Sequence, residues 1–244
     1  VGYLMEQAMI SGSEQYPDRK FGIIDMVVAK PNVMSVTFKE HDGSFLVGVI
    51  AGLTTKSNVV GFVGGMDSPL IEKFEVGFRA GVASVNPNAK VLVNYTGAFD
   101  NLDKGKEIAI SLFKQKADVI YHASGGCGIG VIQAADENNF WAIGVDQDQS
   151  AVSKNNRVLC SMIKRVDVGT YTIVKSYADN NFAGGKAIEL GLKEDGVGFS
   201  DGGNNVPAEV KAVADKAKEL VINGTIVVPS SRKELESFKP VEIK

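Results

Sequence analysis

The chain is poor in the residues that do thiol, metal and aromatic chemistry: its 244 residues include two cysteines (Cys127, Cys160), two histidines (His41, His122) and one tryptophan. Two cysteines cannot build a disulfide framework, and their distance in sequence from both histidines gives no zinc-ligand spacing, so neither a metal nor a cofactor is expected. An excess of positive charge is also missing. The 26 Lys and Arg face 29 Asp and Glu, for a net charge of −3, and no basic cluster offers the electrostatic footprint that neutralises phosphates; nucleic acid is excluded as an expected partner. No apolar run approaches the ~18 residues of a membrane helix, and Val1 to Ile10 lacks the basic start and apolar stretch of a signal peptide. As written, the chain is expected neither to span a membrane nor to carry its own export signal.

What is present is a balanced globular composition, 44% hydrophobic and 23% charged with mean hydropathy near zero. The length suits one large domain or two lobes. Short, nearly continuous β-branched runs recur at Phe21–Ile24, Ser35–Phe38, Val59–Val63, Val91–Tyr95, Val119–His122, Trp141–Val145 and Val158–Ile163. Such runs fit parallel strands covered by helices on both faces. Helical spacing fills the intervals at Ser44–Thr55, Pro69–Val85, Lys104–Gln115, Ile129–Asn138, Val168–Asn180 and Ala208–Asn223. The alternation predicts α/β units with right-handed crossovers. From Pro229 onward the chain turns polar, and a surface tail is expected over 230–244.

Ligands of open α/β sheets bind at the carboxyl ends of strands, so the residues just past each run are the candidates. Asp25 follows the first run, and Asp146 and Asp148 follow the sixth. Each could accept hydrogen bonds from a sugar diol or a base amide, and each could equally be a turn former or helix cap; spacing alone does not choose between Asp146 and Asp148. The segment Gly125-Gly126-Cys127-Gly128-Ile129-Gly130 follows a strand and opens a helix, as a phosphate cradle does, but matches neither G-x-G-x-x-G nor G-x-x-x-x-G-K-[ST]. Its glycines could serve close packing or close approach of a ligand. Lys164 ends the seventh run at the same edge. Phe99, in a Gly-Ala-Phe-Asp loop after the fourth, could stack on a planar ligand.

Enzyme readings lack actors. There is no G-x-S-x-G elbow, no H-E-x-x-H and no cysteine with a nearby His/Asn pair. His122 and Cys127 have no special spacing, since successive strand residues point to opposite faces. Glu40-His41-Asp42-Gly43 reads as a solvated turn.

Several segments taken in order carry a resemblance: Phe21-Gly22-Ile23-Ile24-Asp25, Ser35-Val36-Thr37-Phe38-Lys39-Glu40, Val60-Gly61-Phe62-Val63-Gly64-Gly65-Met66-Asp67, Ile120-Tyr121-His122-Ala123-Ser124-Gly125-Gly126, Ile143-Gly144-Val145-Asp146-Gln147-Asp148-Gln149 and Ser161-Met162-Ile163-Lys164-Arg165. Over residues 1 to about 229 the chain resembles the BMP (basic membrane protein) family of substrate-binding lipoproteins, which includes a purine nucleoside receptor of bacterial ABC importers. The resemblance implies a type I periplasmic-binding-protein fold, with two α/β lobes that close on ligand, and a nucleoside as ligand. It further implies that Asp25 bonds the base, Phe99 stacks on it, Gly125 and Gly126 offer backbone contact, and Asp146 with Lys164 holds the ribose; Asp148 stays a candidate beside them. Cys127 stands where a small polar residue is expected.

The implied lobes are 1–58 with 165–188 and 59–164 with 189–229. Val1 to Met5 resembles the loop before a helix rather than the family's first strand, so roughly 70 to 100 residues of the first lobe are expected to lie outside this chain, by the usual size of such units. The export signal, the lipid-anchoring cysteine and further ligand contacts are expected there. The implied partners are a nucleoside and ABC permease subunits, the implied location is extracytoplasmic, and membrane attachment is expected only through that anchor. Two other readings are a ligand-sensing regulatory protein of the same fold and a receptor for another small polar ligand.

Overall fold

A computed structural model describes residues 2–241 and 243. In chain order the elements are α1 (Glu6–Gln15), β1 (Phe21–Ile24), β2 (Val33–Phe38), α2 (Glu40–Thr54), β3 (Val59–Gly64), α3 (Pro69–Val85), β4 (Lys90–Tyr95), α4 (Leu102–Lys114), β5 (Val119–Ala123), α5 (Cys127–Asn138), β6 (Trp141–Asp146), β7 (Val158–Lys164), α6 (Val166–Ala178), β8 (Ala187–Leu190), β9 (Val197–Ser200), α7 (Ala208–Ile222) and α8 (Arg232–Ser237). They form two compact units, Val1–Lys39 with Arg165–Val197 and Glu40–Lys164 with Gly198–Lys244.

The smaller unit holds a three-stranded sheet in the order β1-β2-β8, with both pairings parallel. Ile23, Val28 and Val33 form its buried centre, against which Met9, Ile10, Phe21 and Met26 pack. The larger unit holds a six-stranded sheet in the order β4-β3-β5-β6-β7-β9. Its pairings from β4 through β7 are all parallel. One cluster joins Val63, Ile120 and Ala142 of the strands to Leu112 of α4 and Ile132 of α5, and each such buried aliphatic side chain contributes about 1.5–3 kcal/mol of transfer free energy. Phe62, Phe78 and Tyr121 form an aromatic centre with ring centroids 5.2–6.4 Å apart.

All seven strands and six helices expected from the sequence are present within a few residues of their expected ends, and α3 starts where its caps say it should. Ser68 accepts from the Ile71 N–H at 3.4 Å, and Pro69 occupies the first turn, where its missing N–H costs nothing. The expected solvated turn at Glu40–Gly43 is corrected: these residues are the first turn of α2, and the Glu40 side chain is buried. The cover comes from α3, where a Cβ on Gly77 would lie 2.2 Å from the His41 carbonyl oxygen.

The division into units differs from the expected lobes in placing residues 40–58 with the larger unit. Helices α2 and α3 approach backbone to backbone: a Cβ on Gly48 would sit 2.3 Å from the Phe78 oxygen, and one on Gly81 2.1 Å from the Phe45 oxygen. At the other boundary, β8 pairs with β2 as far as Leu190, so the smaller unit continues to Val197 rather than 188. The stretch expected as a surface tail is exposed or half-buried at each described residue, and it is not featureless. It contains α8, whose Arg232 reaches back to Glu75 of α3 and to Asp67 (N–O distances of 2.7 and 2.9 Å), and to the Tyr95 hydroxyl at 2.7 Å.

Candidate functional site

In the larger unit the chain runs from β3 outward to β4, then returns across β3 to β5. The strand order therefore reverses between β3 and β5, and the crevice at such a switch point is where open α/β sheets hold ligands. Five of the sequence candidates lie at this carboxyl edge. Phe99 is in the loop after β4, Gly125 and Gly126 follow β5, Asp146 ends β6 and Lys164 ends β7.

Phe99 and the glycine run are in contact. The Phe99 ring lies over Gly65, where a Cβ would be 2.2 Å from a ring carbon, so a side chain there would displace the ring. Its carbonyl accepts from the Cys127 N–H at 3.3 Å. The Cys127 thiol brackets the same loop, accepting from Asn101 N at 3.3 Å and donating to Ala98 O at 3.5 Å. Cys127 thus does the work of the expected small polar residue: it fixes the loop that carries Phe99. The run itself closes as a turn, with Gly125 at φ +56°, Gly128 N donating to Gly125 O at 3.0 Å and Ile129 N to Gly126 O at 3.2 Å. The first amides of α5 are committed to the protein, so this is no phosphate cradle.

Asp146 and Lys164 form the second pair, Oδ1 to Nζ 3.8 Å. The two differ in exposure, the Asp146 side chain being 51% accessible and that of Lys164 6%. The lysine is held from behind by Phe74, its ammonium 5.6 Å from the ring centre. A carboxylate half open to solvent beside a buried ammonium presents an acceptor and a donor together, the combination that recognises a vicinal diol. Asp148, the other carboxylate of this loop, is used differently. It accepts from Ser150 N at 2.8 Å and from the Ser200 hydroxyl. Against the opposing effect of partial burial, these bonds hold its pKa below the ordinary value. It ties the loop after β6 to β9.

Asp25 belongs to the smaller unit and is described there. It follows β1 at φ +70°, half-buried, and its N–H donates to Val36 O at 2.9 Å. Asp146 has nearly the same backbone, φ +68°. Asp25 and Asp146 therefore both sit in the left-handed region, which Asp tolerates better than most residues and which costs of order 1–3 kcal/mol when held.

Residues missed in the sequence lie beneath this edge. His122 is fully buried and its Nε2 meets Gln149 Oε1 at 2.8 Å. Burial pushes the imidazole down to a pKa of about 4, against a weaker opposing effect of the Gln149 bond, so the ring is neutral at physiological pH. Nothing local announces a partner 27 positions away.

Among the described residues no group of three His, Cys, Asp or Glu is placed to hold a metal, and no helix is long and apolar enough to cross a membrane. Residues 1–232 match the family model described as ABC transporter substrate-binding protein PnrA-like. The chain is 42% identical over 245 residues to the CD4+ T-cell-stimulating antigen of Listeria monocytogenes, covering 94% of this chain and 69% of that protein. It is 36% identical over 247 residues to the ABC transporter nucleoside-binding protein BmpA of Lactococcus lactis, covering 94% and 70%. Among solved structures, an ABC-transporter solute-binding protein of Aeropyrum pernix superposes with a TM-score of 0.83 at 26% identity, covering 97% of this chain and 78% of that one. The chain belongs to the BMP family of ABC-transporter substrate-binding proteins: it binds rather than catalyses, its family works outside the cytoplasm, and its partners are a small-molecule ligand and the permease subunits of a transporter.

Proposed function

We propose that the ligand is a purine nucleoside. The observation that carries this reading is the Asp146–Lys164 pair, a half-exposed carboxylate 3.8 Å from a buried ammonium, at the ends of β6 and β7, the two strands that follow β5 in the sheet, while β5 leads to Gly125 and Gly126, where Phe99 lies. Asp146 accepts from the ribose hydroxyls and Lys164 donates to them. Phe99 stacks on the base, and Gly125 and Gly126 leave room for its close approach. Asp25 of the smaller unit bonds the base edge, and hinge closure of the two units on the ligand belongs to the same proposal. The relative from Lactococcus, described as nucleoside-binding, supports the choice of ligand class. We assign the protein to an importer, and we propose a lipid anchor as its attachment to the membrane.

Titration calorimetry with guanosine, inosine and adenosine tests the reading. Saturable binding of at least one is expected, weakened about a hundredfold or more in Asp146→Ala, because a charge-assisted pair of hydrogen bonds is lost together with the counter-charge of Lys164. Free ribose and free bases are expected to bind far more weakly than the nucleoside. No binding of any nucleoside sinks the proposal.

A further inference from the structure

Strands β5 and β6 part company before they end. Their paired residues run from Val119↔Trp141 to Tyr121↔Ile143 and stop there, while β6 continues beside β7 through Val145↔Met162 and Asp146↔Ile163. Trp141 N donates to Asp118 O on the β5 side and Ala142 N to Arg157 O on the β7 side. By this alternation the Val145 N–H points toward β5, beyond the last paired residue, where a buried amide needs another acceptor.

Gln149 supplies it. Its Oε1 accepts from Val145 N at 2.9 Å and meets His122 Nε2 at 2.8 Å, and its own N–H donates to Ser161 Oγ at 3.0 Å. Of the two ends of the Gln149 side-chain amide only the carbonyl oxygen accepts, so His122 must carry its proton on Nε2 and donate it. His122 Nδ1 then has only a lone pair to offer and meets no partner among the described residues. The fit is tight. A Cβ on Gly144 would lie 2.7 Å from Gln149 Oε1, and one on Gly128 would overlap the imidazole.

Between the two residues fixed by this bridge lies Asp146. Gln147 N donates to Val145 O at 2.8 Å around it, which with φ +68° makes a γ-turn of the strained, positive-φ kind. Such a turn persists only where its surroundings determine it. We propose that His122, acting through Gln149, is a positioning residue for the ligand-contacting carboxylate of Asp146: β5 reaches across the split in the sheet and holds the end of β6 in the conformation that presents that carboxylate. The effect on ligand rests on the nucleoside reading of Asp146; the effect on the turn does not.

The test compares His122→Leu, His122→Gln, which keeps an N–H donor of similar reach, and Gln149→Met, which puts an unbranched apolar chain of similar length at a half-buried position. Two readouts are taken, hydrogen exchange at the Val145 amide with Val60 of β3 as control, and calorimetry with guanosine. In His122→Leu and Gln149→Met proteins that fold, exchange at Val145 is expected to quicken about tenfold or more while Val60 is unchanged, and guanosine binding to weaken about tenfold. His122→Gln is expected to recover most of both. If Val145 exchanges as slowly in Gln149→Met as in the parent, the proposal is overturned whatever the ligand does. It is overturned too if Val145 loosens while guanosine affinity stays at the parent value, or if His122→Gln is no better than His122→Leu. If the parent binds no nucleoside yet Val145 loosens as expected, the positioning of the turn stands and the nucleoside reading fails.

Discussion

The two units bury polar groups for different ends. In the smaller one the buried polar side chains are Ser13, Asn32 and Ser35. All three are uncharged and spend their hydrogen bonds on nearby backbone: Ser13 donates to Ile10 O at 2.8 Å, Asn32 to Ser13, Tyr16 and Arg19 carbonyls, and Ser35 accepts from Val28 N at 3.1 Å. In the larger unit the buried set includes Glu40, Asp42, Glu75, His122 and Lys164. Satisfying a loop carbonyl is structural work that an uncharged amide does at little electrostatic cost. Burying a charge is expensive unless it is paired, and it recurs where a site needs it. The helices differ in the same sense. On α6 the side chains of Tyr171, Val174 and Tyr177 are 65%, 60% and 62% exposed, whereas α3 buries residues along most of its length.

The contrast can be broken by mutation, starting with the largest effect. Gly81→Leu should destabilise the protein by about 3 kcal/mol or more, because a side chain there meets the Phe45 carbonyl and the α2 backbone rather than a side chain able to move. Urea unfolding followed by the fluorescence of Trp141, which lies in the larger unit, measures it. A cost below about 1 kcal/mol would mean the two helices separate easily.

Acid should separate the units next. The folded His122 binds a proton only near pH 4, whereas an unfolded histidine binds near 6.5. Between those values the unfolded chain holds more protons, so stability is full above about pH 6.5 and falls toward pH 4, by up to about 3 kcal/mol. The urea midpoint reported by Trp141 should drop across this window, while exchange of the β2 amides should follow it only as far as the units unfold together. A midpoint independent of pH from 6.5 to 4.5 would show that the imidazole is not held neutral.

Arg232→Ala should cost about 2 kcal/mol in the same measurement. It removes the main counter-charge of Glu75, 2% exposed, and leaves Arg79 and Tyr95 as its remaining partners. Burial alone would raise the Glu75 pKa, but hydrogen bonds from Arg232, Tyr95 and Arg79 hold it low. The variant should therefore also lose part of its stability at a higher pH than the parent. Smallest of all, Val174→Ser on the exposed face of α6 should change stability by less than about 0.5 kcal/mol. A larger loss would mean that this face is covered in solution.

The central strands of the six-stranded sheet were legible because they are covered on both faces and so read as unbroken apolar runs. β8 (Ala187–Leu190) and β9 (Val197–Ser200) were not. Each is four residues long, mostly half-exposed or exposed, with a glycine inside or beside it, and each exists because a neighbour offers an open edge. α1 carries Gly12 and buries only Ser13, so it shows no apolar stripe. The first turn of α2 was misread for the opposite reason: Glu40, His41 and Asp42 look solvent-seeking, and only the packing of α3 encloses them. The strand-end positions of Asp25, Phe99, Asp146 and Lys164 were legible because strand ends are visible in sequence. The use of Asp148 to tie its loop to β9 was not, since its partner Ser200 is 52 positions away.

By itself the sequence determined where the central strands run, which residues stand at their carboxyl ends, and the family to which that ordered pattern points. These follow from interactions local along the chain: side-chain periodicity, backbone preference at turns, and continuous apolar runs. The tertiary structure alone decided which of those end residues meet. It set Phe99 on the Gly125 turn, Lys164 against Asp146, Arg232 against Glu75, and His122 beneath the end of β6. Each of these contacts depends on strand order and on the small separations that glycines permit, quantities fixed by the packing of elements far apart in the chain.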